Sequence, residues 1–290
     1  CRLTRPTVIA VPSPTVRSAI SGGARLRRIV FTRMTEIDPN PNPTVGPLAN
    51  LRRRGYDVMC TSHGEAILGS DFADALSDIE AVLGTFQIDV DEIVRGGGGE
   101  TPFTQRLRRA FNGRGWTKRE FVIRKLIDNV ETQATSHEVD HVKLFERGTI
   151  AMEIEWNNKD PFFDRDLDNF KRLHADGGIS AGTIITRGAS LHASLRELLA
   201  RFARDRNIDG FEALAAYGYS PTRRQQREIE RRVARSNSFA DAWVSVFRAD
   251  KFGEATTHWK KLEDRVVRGA GNPCPLLLIG LPAAVVVEHG

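Results

Sequence analysis

The sequence predicts an α/β fold, a mixed β-sheet edged by helices with extra helical segments. Three consecutive patterns carry this expectation. Residues 138–156 alternate around a short polar turn, residues 160–176 repeat apolar positions at helical spacing, and Ile179 to Thr186 is a compact apolar run. A hairpin, a helix and a buried strand in that order build a mixed sheet with a helix laid on it. With 290 residues, 40% of them hydrophobic, the chain can fill such a core.

The beginning of the chain adds little to that core. Residues 1–33 hold seven arginines and no acid, so they contribute +7 to a net charge of +5 and leave the remainder at −2. The basic balance therefore belongs to this segment and does not by itself argue for a nucleic-acid face. Seven of the 13 prolines fall by residue 47, so residues 1–48 are expected to be a disordered leader and 49–290 a single domain. An Arg-rich, acid-poor segment also has the composition of a transit peptide, but the apolar stretch of a secretory signal is missing. Cys1, Cys60 and Cys274 are odd in number and lack CxxC spacing, which argues against a disulfide framework and a structural zinc site. A reducing, cytoplasmic setting is the expectation. The longest apolar stretch, Leu276 to Val287, is 12 residues with Gly280 and Pro282 inside it. It is too short to span a bilayer and reads as a late core strand, so no membrane partner is expected.

Phe72, Leu76, Ile79 and Leu83 recur at helical spacing behind Ser70 and Asp71, which predicts a capped helix over 71–84 with a solvated acidic face. After the glycine run 96–99, read as flexible, Thr101 and Pro102 sit where an N-cap and a first-turn proline belong. No GK[ST] follows the glycines, so they are not a phosphate loop. Phe103, Leu107, Ala110 and Phe111 share one side of the ensuing helix, and Arg106, Arg108 and Arg109 take the other. From Arg106 to Lys125 eight basic residues stand against the single acid Glu120. Such a cluster can hold phosphates, with Arg106 and Arg109 as the DNA-binding candidates, or can be an ordinary solvated face.

The chemistry concentrates in residues 137–187. In Thr149 to Trp156 the side chains of Ile150, Met152, Ile154 and Trp156 fall on one face and those of Ala151, Glu153 and Glu155 on the other. The preceding run, Glu138 to Phe145, can pair with it across a turn at 146–147 or 147–148. The first register sets Asp140 opposite Glu153, the second opposite Glu155. Either brings three carboxylates to one patch, where repulsion and desolvation disfavour the charged forms. A hard divalent cation such as Mg²⁺ relieves that, and it suits phosphodiester hydrolysis because it acidifies a water and neutralises phosphoryl charge. A solvent-facing strand could carry Glu153 and Glu155 by chance; Asp140 at hairpin distance weighs against chance. Asp160-Pro161 then starts a helix with Phe162, Phe163, Leu167, Phe170 and Leu173 on one arc, ending at Gly177-Gly178. Asp166 lies inside that apolar arc, so it is expected either to pair with an arginine or to adjoin the site. Asn157, Asn158 and Arg187 fall just past strand ends, where side chains can reach base edges or phosphates; for the asparagines, loop capping is an equal alternative.

Asp140…Glu153-x-Glu155-Trp-Asn-Asn158, a helix, and the Ile-Ile-Thr-Arg187-Gly strand together resemble type II restriction endonucleases of the BglII kind, within the PD-(D/E)XK nuclease superfamily. The likeness spans about residues 96–188. It implies that Asp140 and Glu153 are the two acids that bind Mg²⁺, with the Ile154 backbone carbonyl as a further ligand. Glu155 stands where most members have lysine, although glutamine and glutamate also occur there within this branch. By the resemblance Glu155 orients or deprotonates the attacking water, Lys159 is a second candidate for the missing positive charge, and Glu100 supports the metal site. The family further implies a homodimer that cuts both strands of double-stranded DNA at a short palindrome, leaving 5′-phosphates, with a cognate DNA methyltransferase as genetic partner. A structure-specific repair nuclease of the same fold and a DNA-binding module without activity are alternatives.

A rival motif overlaps these residues. His137-Glu-Val-Asp-His141 matches HExxH, the zinc-protease signature, which needs both histidines on one helical face. The flanking residues read as strand and turn, which disfavours it. Beyond residue 189, Arg196, Arg201, Arg204 and Arg206 and the six arginines of Arg223 to Arg235 read as solvated helices, and Trp243, Phe247, Phe252 and Trp259 as core.

Overall fold

The computed structural model describes residues 46–95, 100–235 and 238–288. Most of the expected leader, and the glycine run 96–99, lie outside the described residues. Leu48, assigned to the leader, is fully buried in the core, so the domain starts before residue 49.

The strands are β1 (Asp57–Thr61), β2 (Ile88–Asp89), β3 (Thr117–Ile127), β4 (Val130–Phe145), β5 (Gly148–Glu155), β6 (Ala181–Arg187), β7 (Leu276–Leu281) and β8 (Val286–Val287). Six form one mixed sheet in the order β1-β7-β6-β5-β4-β3. The β5, β6 and β7 strands run parallel, and β1, β4 and β3 are antiparallel to their neighbours. Both faces are covered along the inner strands β5, β6 and β7, whereas most of β3 and the first half of β4 are exposed. One face packs on a large cluster drawn from α1 (Ala49–Arg53), α2 (Gly64–Asp71), α3 (Ala73–Thr85), α4 (Val90–Val94), α5 (Pro102–Asn112), α7 (Ala189–Asp205), α8 (Phe211–Ala216), α9 (Arg223–Val233) and α10 (Phe239–Phe252). The other face packs on α6 (Phe162–Ala175) and α11 (Trp259–Val267). The predicted α/β fold, a mixed sheet between helices, is what forms.

The hairpin takes the first of the two registers. Phe145 pairs with Gly148 and His141 with Met152, so the turn is Glu146-Arg147. Gly148 is required there, because its φ is +145° and a Cβ would sit 2.1 Å from Ser180 Oγ. A second close approach fixes α6 against the sheet: a Cβ on Gly182 of β6 would lie 2.4 Å from the Phe170 ring. Helix α6 therefore lies directly over the sheet face of Ala151, Glu153 and Glu155.

Two helix expectations need correction. The run 71–84 is not one capped helix: Ser70 and Asp71 end α2, the backbone breaks at Phe72, and α3 begins at Ala73 without a side-chain cap. Ser70 instead bonds back to the Ile67 carbonyl, the local bonding by which serine competes with helical structure. Helix α5 does start as expected, with Thr101 accepting from Thr104 N and Pro102 in the first turn. The apolar run from Leu276 is the fully buried strand β7 followed, past Pro282, by the short β8. Trp243, Phe247, Phe252 and Trp259 are all buried. Among the described residues no helix is long and apolar enough to cross a membrane.

Candidate active site

The site forms where the β4–β5 pairing ends. The register closes at His141–Met152, so the β4-facing edge of β5 is unpaired from Glu153 onward, while its other edge stays bonded to β6 through Glu155. Asp140, Glu153, Ile154, Glu155 and Asn158 line one cleft of about 550 Å³ there, with His137, Glu138 and Arg165. The three predicted carboxylates are thus brought together, by two strands that diverge just where the acids begin.

Their environments differ. Asp140 is exposed, whereas Glu153 and Glu155 are only 6% and 3% exposed and face α6. Burial, then the neighbouring Asp166, Asp140 and Glu155 carboxyls, push Glu153 up to about 9. Glu153 has no side-chain hydrogen bond or ion pair among the described residues. Glu155 is raised to about 8 by burial first and Asp166 second, while Asn158 opposes the rise by donating Nδ2 to Glu155 Oε2 at 2.5 Å. Asp166, 1% exposed, is also raised by its burial. Arg165 partly compensates: its guanidinium bonds Asp166 Oδ1 at 2.8 Å and reaches Glu155 Oε1 at 3.5 Å. Both alternatives foreseen for Asp166 therefore hold at once.

Arg165 and Lys118 escaped the sequence reading. Arg165 carried a signal, since a buried acid in an apolar arc asks for a cation beside it. Lys118 carried none. It lies on β3 and bonds Glu138 at 2.6 Å, with Asp140 3.8 Å away, and the β3–β4 register shifts by a bulge between Thr117 and Arg119. Lys159 pairs with Thr256 through its backbone and is not among the residues lining the cleft.

An adjoining cleft of about 390 Å³ shares Asp140, Ile154 and Asn158 and adds Glu100, Asn157, Arg108 and His141. Glu100 lies just ahead of the Thr101 cap, where it pairs with Arg108 at 2.9 Å. Arg109 is exposed on α5. Arg106 is held in an ion pair with Glu92 and donates to the Gln87 carbonyl, lining a different pocket.

Arg187 is a correction. It ends the central strand β6, covered by helices on both sides, and is 0% exposed. Its guanidinium stacks near Trp156 and Phe252 and donates to the Trp156 carbonyl and Thr256 Oγ1. It braces the end of β5 from within and does not reach a DNA surface. The HExxH reading also fails. His137 and His141 lie on β4, where four residues of strand separate them by roughly 13 Å. His137 lines the acidic cleft, and His141 turns to the other face against Phe111.

No curated protein sequence matches the chain. The sequence model of one family, restriction endonuclease BglII/BglIII, matches residues 56–281, which includes every strand of the main sheet and the acidic cleft. With a six-stranded mixed sheet between helices and a match over most of its length, the chain belongs to the restriction endonuclease BglII/BglIII family.

Proposed function

We propose that this restriction endonuclease cleaves double-stranded DNA at a specific sequence with Mg²⁺ held by Asp140, Glu153 and the Ile154 backbone carbonyl. The observation that carries the reading is Glu153. A buried carboxylate without a hydrogen bond or ion pair is costly, and two further acids in the same cleft make it costlier. The donor set is all oxygen and partly open to solvent, which fits a hard cation that keeps some of its waters. When bound, Mg²⁺ supplies an acidified water and neutralises charge on the scissile phosphate.

The chain's own residues do the rest. Glu155, held by Asn158 and Arg165, orients the water that attacks in line and takes its proton. Burial and Asp166 hold this carboxyl above its ordinary range, and a cation beside it would favour the carboxylate, the form that accepts the proton. The P–O3′ bond breaks, leaving a 5′-phosphate, and the departing 3′-oxygen takes a proton from solvent to become a hydroxyl. Lys118 and Arg165 offset the charge of the acids, a task that lysine performs at the Glu155 position in most of the superfamily. Glu100 supports the metal site from the adjoining cleft. Asn157 and Asn158, which line the clefts, and Arg109, exposed on α5 outside them, are the DNA-contacting candidates; Arg106 could join them only by leaving Glu92. A homodimer would match a palindromic site, and a cognate methyltransferase would protect the host DNA.

Digestion of a long DNA with Mg²⁺ tests this. Discrete fragments that vanish with EDTA and in Glu153→Ala, while specific binding persists, are expected. A smear would indicate a nuclease without sequence specificity, and a fully active Glu153→Ala would remove the site.

A further inference from the structure

A second group of ligating side chains stands apart from the carboxylate cleft. His192 lies in the first turn of α7, His258 caps α11, and Glu254 comes from the loop between α10 and α11. The two imidazoles stack in parallel with centroids 4.1 Å apart, so their Nε2 lone pairs lie in separate planes and one ring must turn for both to hold a single ion. Each Nε2 is 3.7 Å from one oxygen of the Glu254 carboxylate, His192 from Oε1 and His258 from Oε2. That separation is too long for hydrogen bonds. It is what two metal–ligand bonds of about 2.1 Å give when they meet at roughly 120°. One potential ligand atom from each residue lies within 4.8 Å of those of the other two. The His258 side chain is 4% exposed and its Nε2 has no hydrogen-bond partner, an unmet polar atom aimed at the carboxylate. Glu254 is 76% exposed and leaves a way in from solvent.

We propose that His192, Glu254 and His258 form a second metal site, for a borderline divalent ion of the zinc class, distinct from the all-oxygen cleft. The donor set decides the class. Two imidazoles and one carboxylate suit zinc and its neighbours, whereas Mg²⁺ and Ca²⁺ select oxygen. Arg187 and Arg248 place positive charge nearby. Affinity must therefore come from the imidazole–metal bonds and the Glu254 charge, which again disfavours a hard ion.

The ion would clamp the loop that backs the nuclease cleft. That loop bonds to the 158–160 segment through Thr257 N to Asn158 O at 2.8 Å and Asp160 N to Ala255 O at 3.0 Å. Asn158 in turn holds Glu155. Tying His192 to Glu254 and His258 fixes α7 to this loop, and so steadies the residue that positions Glu155.

The test uses the full chain stripped with EDTA and titrated with Co²⁺ or Zn²⁺ alone. One Co²⁺ per chain should bind with the strong visible absorption of a four-coordinate imidazole-containing site, and an Asp140→Ala/Glu153→Ala variant should keep it. His192→Ala should lose it. Glu254→Gln changes an exposed residue and will fold, and it should weaken binding at least about tenfold, since even an outer partner of a ligand contributes that much. Zn²⁺ should raise the thermal midpoint of the wild type more than that of Glu254→Gln. No such absorption at saturating Co²⁺, an undiminished affinity in Glu254→Gln, or binding lost with the cleft acids would each overturn the proposal.

Discussion

Replacing Glu153 with glutamine keeps its shape and removes its charge, and the structure gives both the sign and the size of the effect. The group is pushed from 4.5 to about 9 by burial and neighbouring carboxyls. Below pH 4.5 the folded and unfolded chains both hold the proton, and Glu153 leaves stability unaffected. Between 4.5 and about 9 the unfolded chain has released it while the folded chain keeps it, so stability falls as pH rises. The slope is at most about 1.4 kcal/mol per pH unit, and by pH 7 the loss reaches on the order of 3 kcal/mol. Glu155, raised to about 8, adds a contribution of the same sign, so the variant keeps part of the slope. In EDTA at pH 7, Glu153→Gln should therefore melt higher than the wild type, by roughly 6–12 °C for a domain of this size. The gap should shrink toward pH 5. Adding Mg²⁺ should raise the wild-type midpoint, because the ion favours the carboxylate, and should barely move the variant. Melting curves at pH 5, 6, 7 and 8, with and without Mg²⁺, decide the matter. A variant no more stable than the wild type at pH 7, or equally stabilised by Mg²⁺, would refute the view of Glu153 as a charge waiting for a cation.

Arg165→Met removes the guanidinium that lies between Glu155 and Asp166, so burial should push both acids further up and move the acidic limb of the pH–rate profile to higher pH; plasmid digestion across pH reads it, and an unmoved limb would deny Arg165 a tuning role. Arg187→Ala should cost about 2–4 kcal/mol by opening a cavity between Trp156 and Phe252 and stranding the Trp156 carbonyl. The folded variant should bind DNA with the wild-type salt dependence, and a reduced slope in a binding titration would return Arg187 to the DNA surface. Arg109→Ala should lower affinity for all sequences and reduce the log–log salt slope by about 0.9 if it holds one phosphate, whereas Asn157→Ala should narrow the gap between specific and non-specific sites.

What the sequence could show, and what it could not, divides along the range of the interactions. The Asp140–Glu153 juxtaposition was legible because alternation and a glycine at the turn are local and only two registers competed; the one that forms pairs Phe145 with Gly148. The apolar arc of α6 likewise pointed to Asp166 as an acid out of place. Lys118 depended on the position of a bulge in a different strand pair, and no pattern within residues 117–127 encodes it. Arg187 misled for the opposite reason. Its place at a strand end suggests reach, but β6 is an inner strand of a sheet covered on both faces, and its end is roofed by Trp156 and Phe252.

The same geometry explains why the acids sit where they do. Up to Met152 the hairpin is fully paired, and a carboxylate there would face the core with no room for a cation. From Glu153 the β4-facing edge is free, yet β6 and α6 still hold the strand, so the acids are placed rigidly while one side stays open. Positions that must bear like charges at close range need both conditions. A strand paired on both edges would bury them without relief, and a loop would let them separate. The end of pairing between two neighbouring strands is the place in this fold that meets both, and Asp140, Glu153 and Glu155 are gathered around it.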